Sequence, residues 1–243
     1  MKVYYIYHSG FALETDSLML IIDYYKDSDD SNLESGIVHS QLLNTKKPIY
    51  VLSTHAHHDH FNPEILRWKQ TNPKIKYIFS RDILDLKLAK KEDANYLCKG
   101  EAFEDNNLSI EAFGSTDQGV SFLIHINNKL IFHAGDLNNW HWKDESSAEE
   151  SQFAENWYLE ELTDIYRQYK VLDLVLFPVD QRLQTDYYLG AEQFISKIHT
   201  RYFAPMHFDE NYKAANAFAD VVKKYKTTFL EIKEKGQTFN IDL

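Results

Sequence analysis

Ile49-Tyr50-Val51-Leu52-Ser53-Thr54-His55-Ala56-His57-His58-Asp59-His60 is the stretch that decides what kind of chain this is. It starts as a short apolar strand and runs straight into a cluster of histidines with one aspartate. Alternate residues of an extended segment share a face, so His55 and His57 can aim their rings the same way. Asp59 and His60 follow in the turn and approach from a second direction. His58 points away from its neighbours and is left out of the ligand set. Imidazole and carboxylate suit zinc and its first-row neighbours, so the run supplies two ligand pairs at a distance that could hold two ions.

Outward from this run, the pattern alternates between strands and helices. Asn62-Pro63 opens a helix, with Asn62 as N-cap and Pro63 at its first position. Upstream, residues 2–8 and 17–23 read as strands, and 26–35 as a polar, acidic loop. Downstream, strands are expected over 74–79, 108–113, 120–126 and 129–133, with a tight turn at Asn127-Asn128. Helices are expected over 82–91 and 148–169. Then come strand 172–177, helix 190–199, strand 202–205, helix 212–225 and strands near 229–232 and 238–241. Strands with helices interspersed throughout argue for one α/β domain over residues 1–243.

The 243 residues are 44% hydrophobic and 26% charged, enough for a core of ordinary size. The formal net charge of −11 disfavours a nucleic acid and favours a small-molecule substrate. The first residues lack the longer apolar core of a signal peptide, and no apolar run approaches the roughly 18 residues needed to span a bilayer. Cys98 is the only cysteine, which rules out an intramolecular disulfide and suits a reduced thiol in the cytoplasm.

The pattern His55-x-His57-x-Asp59-His60 resembles the signature of the metallo-β-lactamase superfamily, and the likeness extends over nearly the whole chain. Asp23 resembles the family's first acid, which supports the histidine loop. Ile131-Phe132-His133-Ala134-Gly135-Asp136 is similar to the strand that delivers the bridging aspartate, here Asp136. Pro205-Met206-His207-Phe208 is similar to the segment that delivers the last histidine, here His207. The resemblance implies an α/β fold, the four-layer αββα sandwich, with two β-sheets face to face and helices outside. It implies His55, His57, Asp59, His60, Asp136 and His207 as ligands of one or two zinc ions. One piece departs from the pattern. Where the family places another histidine, this chain has Gly114-Ser115-Thr116-Asp117-Gln118-Gly119. Asp117 is the nearest residue able to ligate, and as a ligand it would shift the preference towards manganese or iron. Alternatively it caps its turn. His125 and His133, each within a strand, read as structural.

Such a site implies a metal-dependent hydrolase in which the ions activate water, with Asp59 and Asp136 holding that water or its ions. No Gly-x-Ser-x-Gly elbow is present and Cys98 is far from any histidine pair, so covalent catalysis has no support. His141 reads either as pocket lining or as surface packing. Asp180 and Arg182 read either as substrate-binding or as a mutual salt bridge. His8 reads as a rim residue or a packed turn histidine, and Tyr187 and Tyr188 are weaker pocket candidates. The expected substrate is a small ester, lactone or phosphodiester. The Tyr-His-Ser-Gly-Phe opening, the His-Ala-Gly-Asp strand and the compact length most resemble the L-ascorbate-6-phosphate lactonase-like branch. The alternative is a metal-binding sensor or scaffold of the same fold without turnover.

Overall fold

Strand β1 (Lys2–Tyr7) turns Val3 and Tyr5 to one face and Tyr4 and Ile6 to the other, and all four are buried. The same double burial recurs along β2 (Gly10–Glu14), β3 (Met19–Ile22) and β4 (Ile49–Ser53), and it marks sheets covered on both sides. The structure is a computed structural model that describes residues 1–29 and 31–243. Next to β4 lie β5 (Lys76–Ser80) and β6 (Asn95–Leu97). The second sheet holds β7 (Ala102–Glu104), β8 (Ser109–Phe113), β9 (Ser121–Ile126), β10 (Lys129–His133), β11 (Val171–Pro178), β12 (His199–Met206) and β13 (Thr228–Phe229). The last strand, β14 (Thr238–Asn240), returns to pair with β1 in the first sheet.

The first sheet runs β14-β1-β2-β3-β4-β5-β6 and the second β13-β12-β11-β10-β9-β8-β7. Each is mixed: β3 to β6 are parallel in one, and β10 to β13 in the other, with antiparallel pairs completing both. Val3, Tyr5, Leu20, Ile22 and Leu52 of the first sheet share one core with Ile110, Phe122, Ile124 and Ile131 of the second. Tyr4, Ile6, Ile21 and Val51 face the other way, against Val38, Ile65, Trp68 and Ile83 of the short outer helices. On the far side, helix Ala148–Gln168 buries Tyr158, Leu162 and Ile165, and Phe194 of helix Leu189–Lys197 stacks on Phe132 at 5.2 Å. This is the expected αββα layering.

Local sequence signals account for several element ends. Ser147 and Glu150 form a reciprocal capping box on the long helix, and the Asn62 side chain accepts from the Glu64 N–H behind Pro63. Asn127 and Asn128 both take positive φ, as a two-residue hairpin turn between β9 and β10 demands. Three expectations need correction. The helix read over 82–91 stops at Asp85, where the chain turns through Lys87 at φ 61°. The helix read over 212–225 divides into Tyr212–Ala217, Ala219–Val222 and a 3-10 turn. The strand read over 229–232 ends at Phe229, because the Ile232 backbone pairs with the Asn216 side chain instead of a neighbouring strand. Strands β2, β6 and β7 were not legible as strands, the last two being short and partly polar.

Gly119 fixes how the second sheet meets the histidine loop. It has φ 71°, and the next residue, Val120, donates its N–H to the Thr54 carbonyl at 2.9 Å. A Cβ on Gly119 would stand 2.2 Å from that carbonyl oxygen and 2.5 Å from the His55 Cβ. Gly119→Ala is therefore expected to destabilise the fold by about 2–3 kcal/mol, through left-handed strain plus overpacking. A denaturant midpoint unchanged from the parent would show that the loop can yield there.

Candidate metal centre

The side chains named as ligands leave the carboxyl ends of parallel-running strands and meet at one edge of the sandwich, where open α/β sheets place their binding crevices. The loop after β4 carries His55, His57, Asp59 and His60, and Asp136 follows β10. His207 directly follows β12, and Asp117 lies on the connection between β8 and β9. His8 follows β1, and its carbonyl accepts the His207 N–H at 3.1 Å, joining the ends of two strands from different sheets.

Two groups of donors form. His55, His57, Asp117 and Asp136 make the first, and Asp59, His60 and His207, with His8 against them, make the second; within each group all donor atoms lie within 4.8 Å of one another. Asp136 joins them. Its Oδ2 lies 3.5 Å from His55 Nε2, and its Oδ1 lies 3.1 Å from His60 Nε2 and 3.3 Å from His207 Nε2. In the first group His55 Nε2 is 3.1 Å from His57 Nδ1, which is 3.5 Å from Asp117 Oδ2. His58 is turned to solvent.

The donors fit a metal ion. His60 Nε2, His207 Nε2 and Asp136 Oδ1 are buried without a hydrogen-bond partner among the described residues. Leaving one such atom unsatisfied costs about 1–3 kcal/mol, so orphans aimed at one place call for a shared cation. Behind them, acids fix the rings. His60 Nδ1 is 2.7 Å from Asp23 Oδ2, and Asp23 also accepts the Thr54 N–H at 2.8 Å and the Thr54 hydroxyl at 2.7 Å. His207 Nδ1 is 2.9 Å from Asp180 Oδ2. A carboxylate behind an imidazole fixes its tautomer and raises its basicity as a ligand.

Protonation follows from this packing. Burial, then the neighbouring charge of His60, hold His55 down to about 3, so its ring is neutral. Burial alone would raise Asp136, but His60, His207 and His55 together hold it well below the usual carboxylate range. Asp59 is lowered in the same way: burial opposes it, and His8, His60 and His207 outweigh burial. Asp117 is raised, by burial first and then by the negative charge of Asp136. Burial opposes a charge on His60, but Asp136 and Asp23 outweigh it and hold the ring well above the usual histidine range, so an ion that binds there would displace its proton. Neutral imidazoles and ionised carboxylates are the forms that ligate.

His57, Asp59, Asp117, Asp136 and His207 line a cleft of about 410 Å³ together with Trp140, Trp142 and Arg182. Trp140 and Trp142 lie parallel, centroids 6.2 Å apart, and the Trp140 indole N–H is anchored to the Asp136 carbonyl. Other expected pocket residues go elsewhere. The Asp180 carboxylate is buried and committed to Arg182 and His207, so it backs the centre instead of facing a substrate. Arg182 is half exposed and reaches the cleft wall. His141 is turned away, its ring against the Asp186 carbonyl and the Lys143 N–H. Tyr187 bonds the Ala214 carbonyl. His125 is exposed on β9, whereas His133 is buried and donates to the Ser9 carbonyl at 2.9 Å. The sequence reading missed how close His8 comes; the only signal was a histidine at the end of a strand whose neighbours in space are far away in sequence.

Comparison with known proteins by family covers the segments from His8 to Asp136. Residues 2–151 match the family described as beta-lactamase superfamily domain. A curated metal-dependent hydrolase of Desulforamulus reducens is 27% identical over 162 residues, which span 56% of this chain and 62% of that protein. Among solved structures, Igni18, a metallo hydrolase from the archaeon Ignicoccus hospitalis, superposes with a TM-score of 0.68 at 20% identity, covering 99% of both chains. CmlA, a diiron β-hydroxylase from Streptomyces venezuelae, superposes at 0.67 with 12% identity, covering 99% of this chain and 54% of its own. The structural likenesses establish a shared fold.

Because Asp180 orients His207, Asp180→Ala should weaken metal binding by about 10–100-fold, the usual cost of losing an outer partner. Competition against a chelator of known affinity measures it. An unchanged affinity would show that packing alone holds the His207 ring.

Proposed function

The chain belongs to the beta-lactamase superfamily, and on that premise we propose that it is a metal-dependent hydrolase holding two ions and cleaving a small ester, lactone or phosphodiester. The observation that carries this reading is Asp136, which turns one oxygen to each donor group at the floor of an open cleft. Bound ions would supply a water whose pKa falls from 15.7 towards about 7, and a Lewis acid for the substrate oxygen. Zinc suits the imidazoles, and the Asp117 oxygen would favour manganese or iron at the first group.

The chain's own residues do the rest. Asp59 and Asp136, both ionised, accept hydrogen bonds from the attacking water and orient it. Arg182 reaches over the cleft with a guanidinium that fits an anionic or developing-anion oxygen. Trp140 and Trp142 present a flat apolar wall for the rest of the substrate and keep water from that side. The cleft volume lies at the small end of ligand sites, which favours a compact substrate. A lactone of the ascorbate-6-phosphate type is the narrower form of this proposal.

Two measurements test it together: metal content of the purified protein, and hydrolysis of a panel of lactones, aryl esters and phosphodiesters. Asp59→Ala and Asp136→Ala should each lower kcat/KM by at least ~100-fold, roughly 3 kcal/mol of transition-state stabilisation. Activity within a few fold of the parent in both variants would place the chemistry elsewhere, and metal binding without turnover would favour a sensor or scaffold. Arg182→Ala should raise KM more for a phosphodiester than for a neutral lactone; equal effects would remove Arg182 from substrate contact.

A further inference from the structure

We propose that His8 is itself a metal ligand, which makes the second group a closed five-donor site of His8, Asp59, His60, Asp136 and His207. The first group, His55, His57, Asp117 and Asp136, is then the open and exchangeable one. This rests on the metal-binding reading above and extends it to a residue outside the signature segments.

His8 is oriented as His60 and His207 are. In all three rings Nε2 faces the centre and Nδ1 lies beside an acid. His60 and His207 are hydrogen-bonded to Asp23 at 2.7 Å and Asp180 at 2.9 Å, and His8 Nδ1 stands 2.9 Å from Asp209 without hydrogen-bond alignment. That is the arrangement of a metal-ligating imidazole with its outer carboxylate. His8 is 4% exposed, and its Nε2, like those of His60 and His207, has no hydrogen-bond partner among the described residues. That Nε2 lies 3.4 Å from Asp59 Oδ2, and the ring centroid lies 4.2 Å from that of His207.

The backbone holds His8 in this pose against its own preference. His8 has φ 56°, a left-handed conformation that costs a side chain about 1–2 kcal/mol. Its N–H is tied to the Tyr5 hydroxyl at 3.0 Å, and its carbonyl receives the His207 N–H at 3.1 Å. His207 is left-handed too, at φ 63°. Two strained residues from different sheets thus face their rings towards one place, where strain of this kind tends to be functional.

Donors about 2.1 Å from one ion stand roughly 3.0–3.4 Å apart at angles between square and tetrahedral. The observed separations are 3.1 Å and 3.3 Å from Asp136 Oδ1 to His60 and His207 and 3.4 Å from Asp59 Oδ2 to His8, which fit such neighbours. Asp59 Oδ2 stands 3.9 Å from both His60 and His207, which calls for the wider angles of a site with more than four donors. Five donors exceed the four of tetrahedral zinc and suit manganese or iron. In the second group the side chains of His8, His60 and His207 are 5%, 0% and 3% exposed and Asp59 24%, whereas in the first group His55 is buried but His57 and Asp117 are each 46% exposed. Exchange with solvent is therefore easier at the first group.

Cobalt(II) titration of the full chain, freed of metal, tests this, because d–d absorption weakens as coordination rises from four to five or six. The first equivalent should give a weak, high-coordination spectrum and resist dialysis against chelator, while the second is removed. His8→Asn tolerates the left-handed backbone and His8→Gln can still donate to Asp59. Both should lower the first affinity by more than about 100-fold, beyond the 10–100-fold cost of an outer partner, and intensify the spectrum towards four-coordination. Asp209→Asn should fall within that 10–100-fold range. If His8→Gln keeps the parent's affinity and spectrum, His8 only holds Asp59 by a hydrogen bond and the proposal fails. If the parent binds no cobalt at all, the metal-binding reading itself fails. Melting curves of the metal-free variants that match the parent's show that an affinity loss is not a loss of fold.

Discussion

Asp23 lies fully buried where β3 ends, and its two oxygens are shared between the Thr54 N–H, the Thr54 hydroxyl and His60. Burial by itself would neutralise such a carboxyl. His133 and His60 more than offset that, and its pKa falls below the ordinary value. Breaking a buried, paired charge of this kind costs about 3–5 kcal/mol, because the partner charge is left uncompensated. Thr54 is the residue before His55, and its carbonyl also receives the Val120 N–H from the other sheet. One acid therefore sets the height of the histidine loop against both sheets, and the donors after Thr54 inherit their positions from it.

The same edge of the sandwich concentrates backbone strain. His8, Asp23, Gly135, His207 and Asp209 all take positive φ close to the ends of their strands. Each such residue turns the chain sharply, so that a side chain is carried inwards over the edge instead of along the sheet. Strain of about 1–3 kcal/mol per non-glycine residue persists only where the surroundings determine the conformation. Here the surroundings are the packed core beneath, with Val3, Tyr5, Ile22, Leu52 and Ile131 all fully buried. A rigid double sheet thus pre-positions donors that would otherwise have to be ordered when a metal binds.

The electrostatics point the same way. Asp59, Asp117, Asp136, Asp180 and Asp209 crowd one edge, and Arg182 contributes a cation to the cleft wall. A cleft of that sign concentrates divalent cations and repels polyanions, in line with the net charge of the chain. The fold itself does not select the chemistry: superpositions of similar quality reach both a metallo hydrolase and a diiron β-hydroxylase. What distinguishes this chain is its donor set, above all an aspartate at 117 where the resemblance leads one to expect a histidine.

Much of this was legible in the sequence because the signals are local. The apolar run 49–53, the helical periodicity that begins at 148 and the Asn127-Asn128 turn each depend on neighbours a few residues away, and each element is found where the pattern placed it. The helix read over 212–225 and the strand read over 229–232 were not settled locally, because the Asn216 side chain pairs with the Ile232 backbone in space. The candidate site divides along the same line. The order of His55, His57, Asp59, His60, Asp136 and His207 is a property of the chain, and so is the choice of side chains that can bind metal. That Asp180 backs His207, that His141 turns from the cleft and that His8 enters the centre are tertiary facts. They depend on which strand ends lie side by side when two sheets pack, and no sequence spacing encodes that distance.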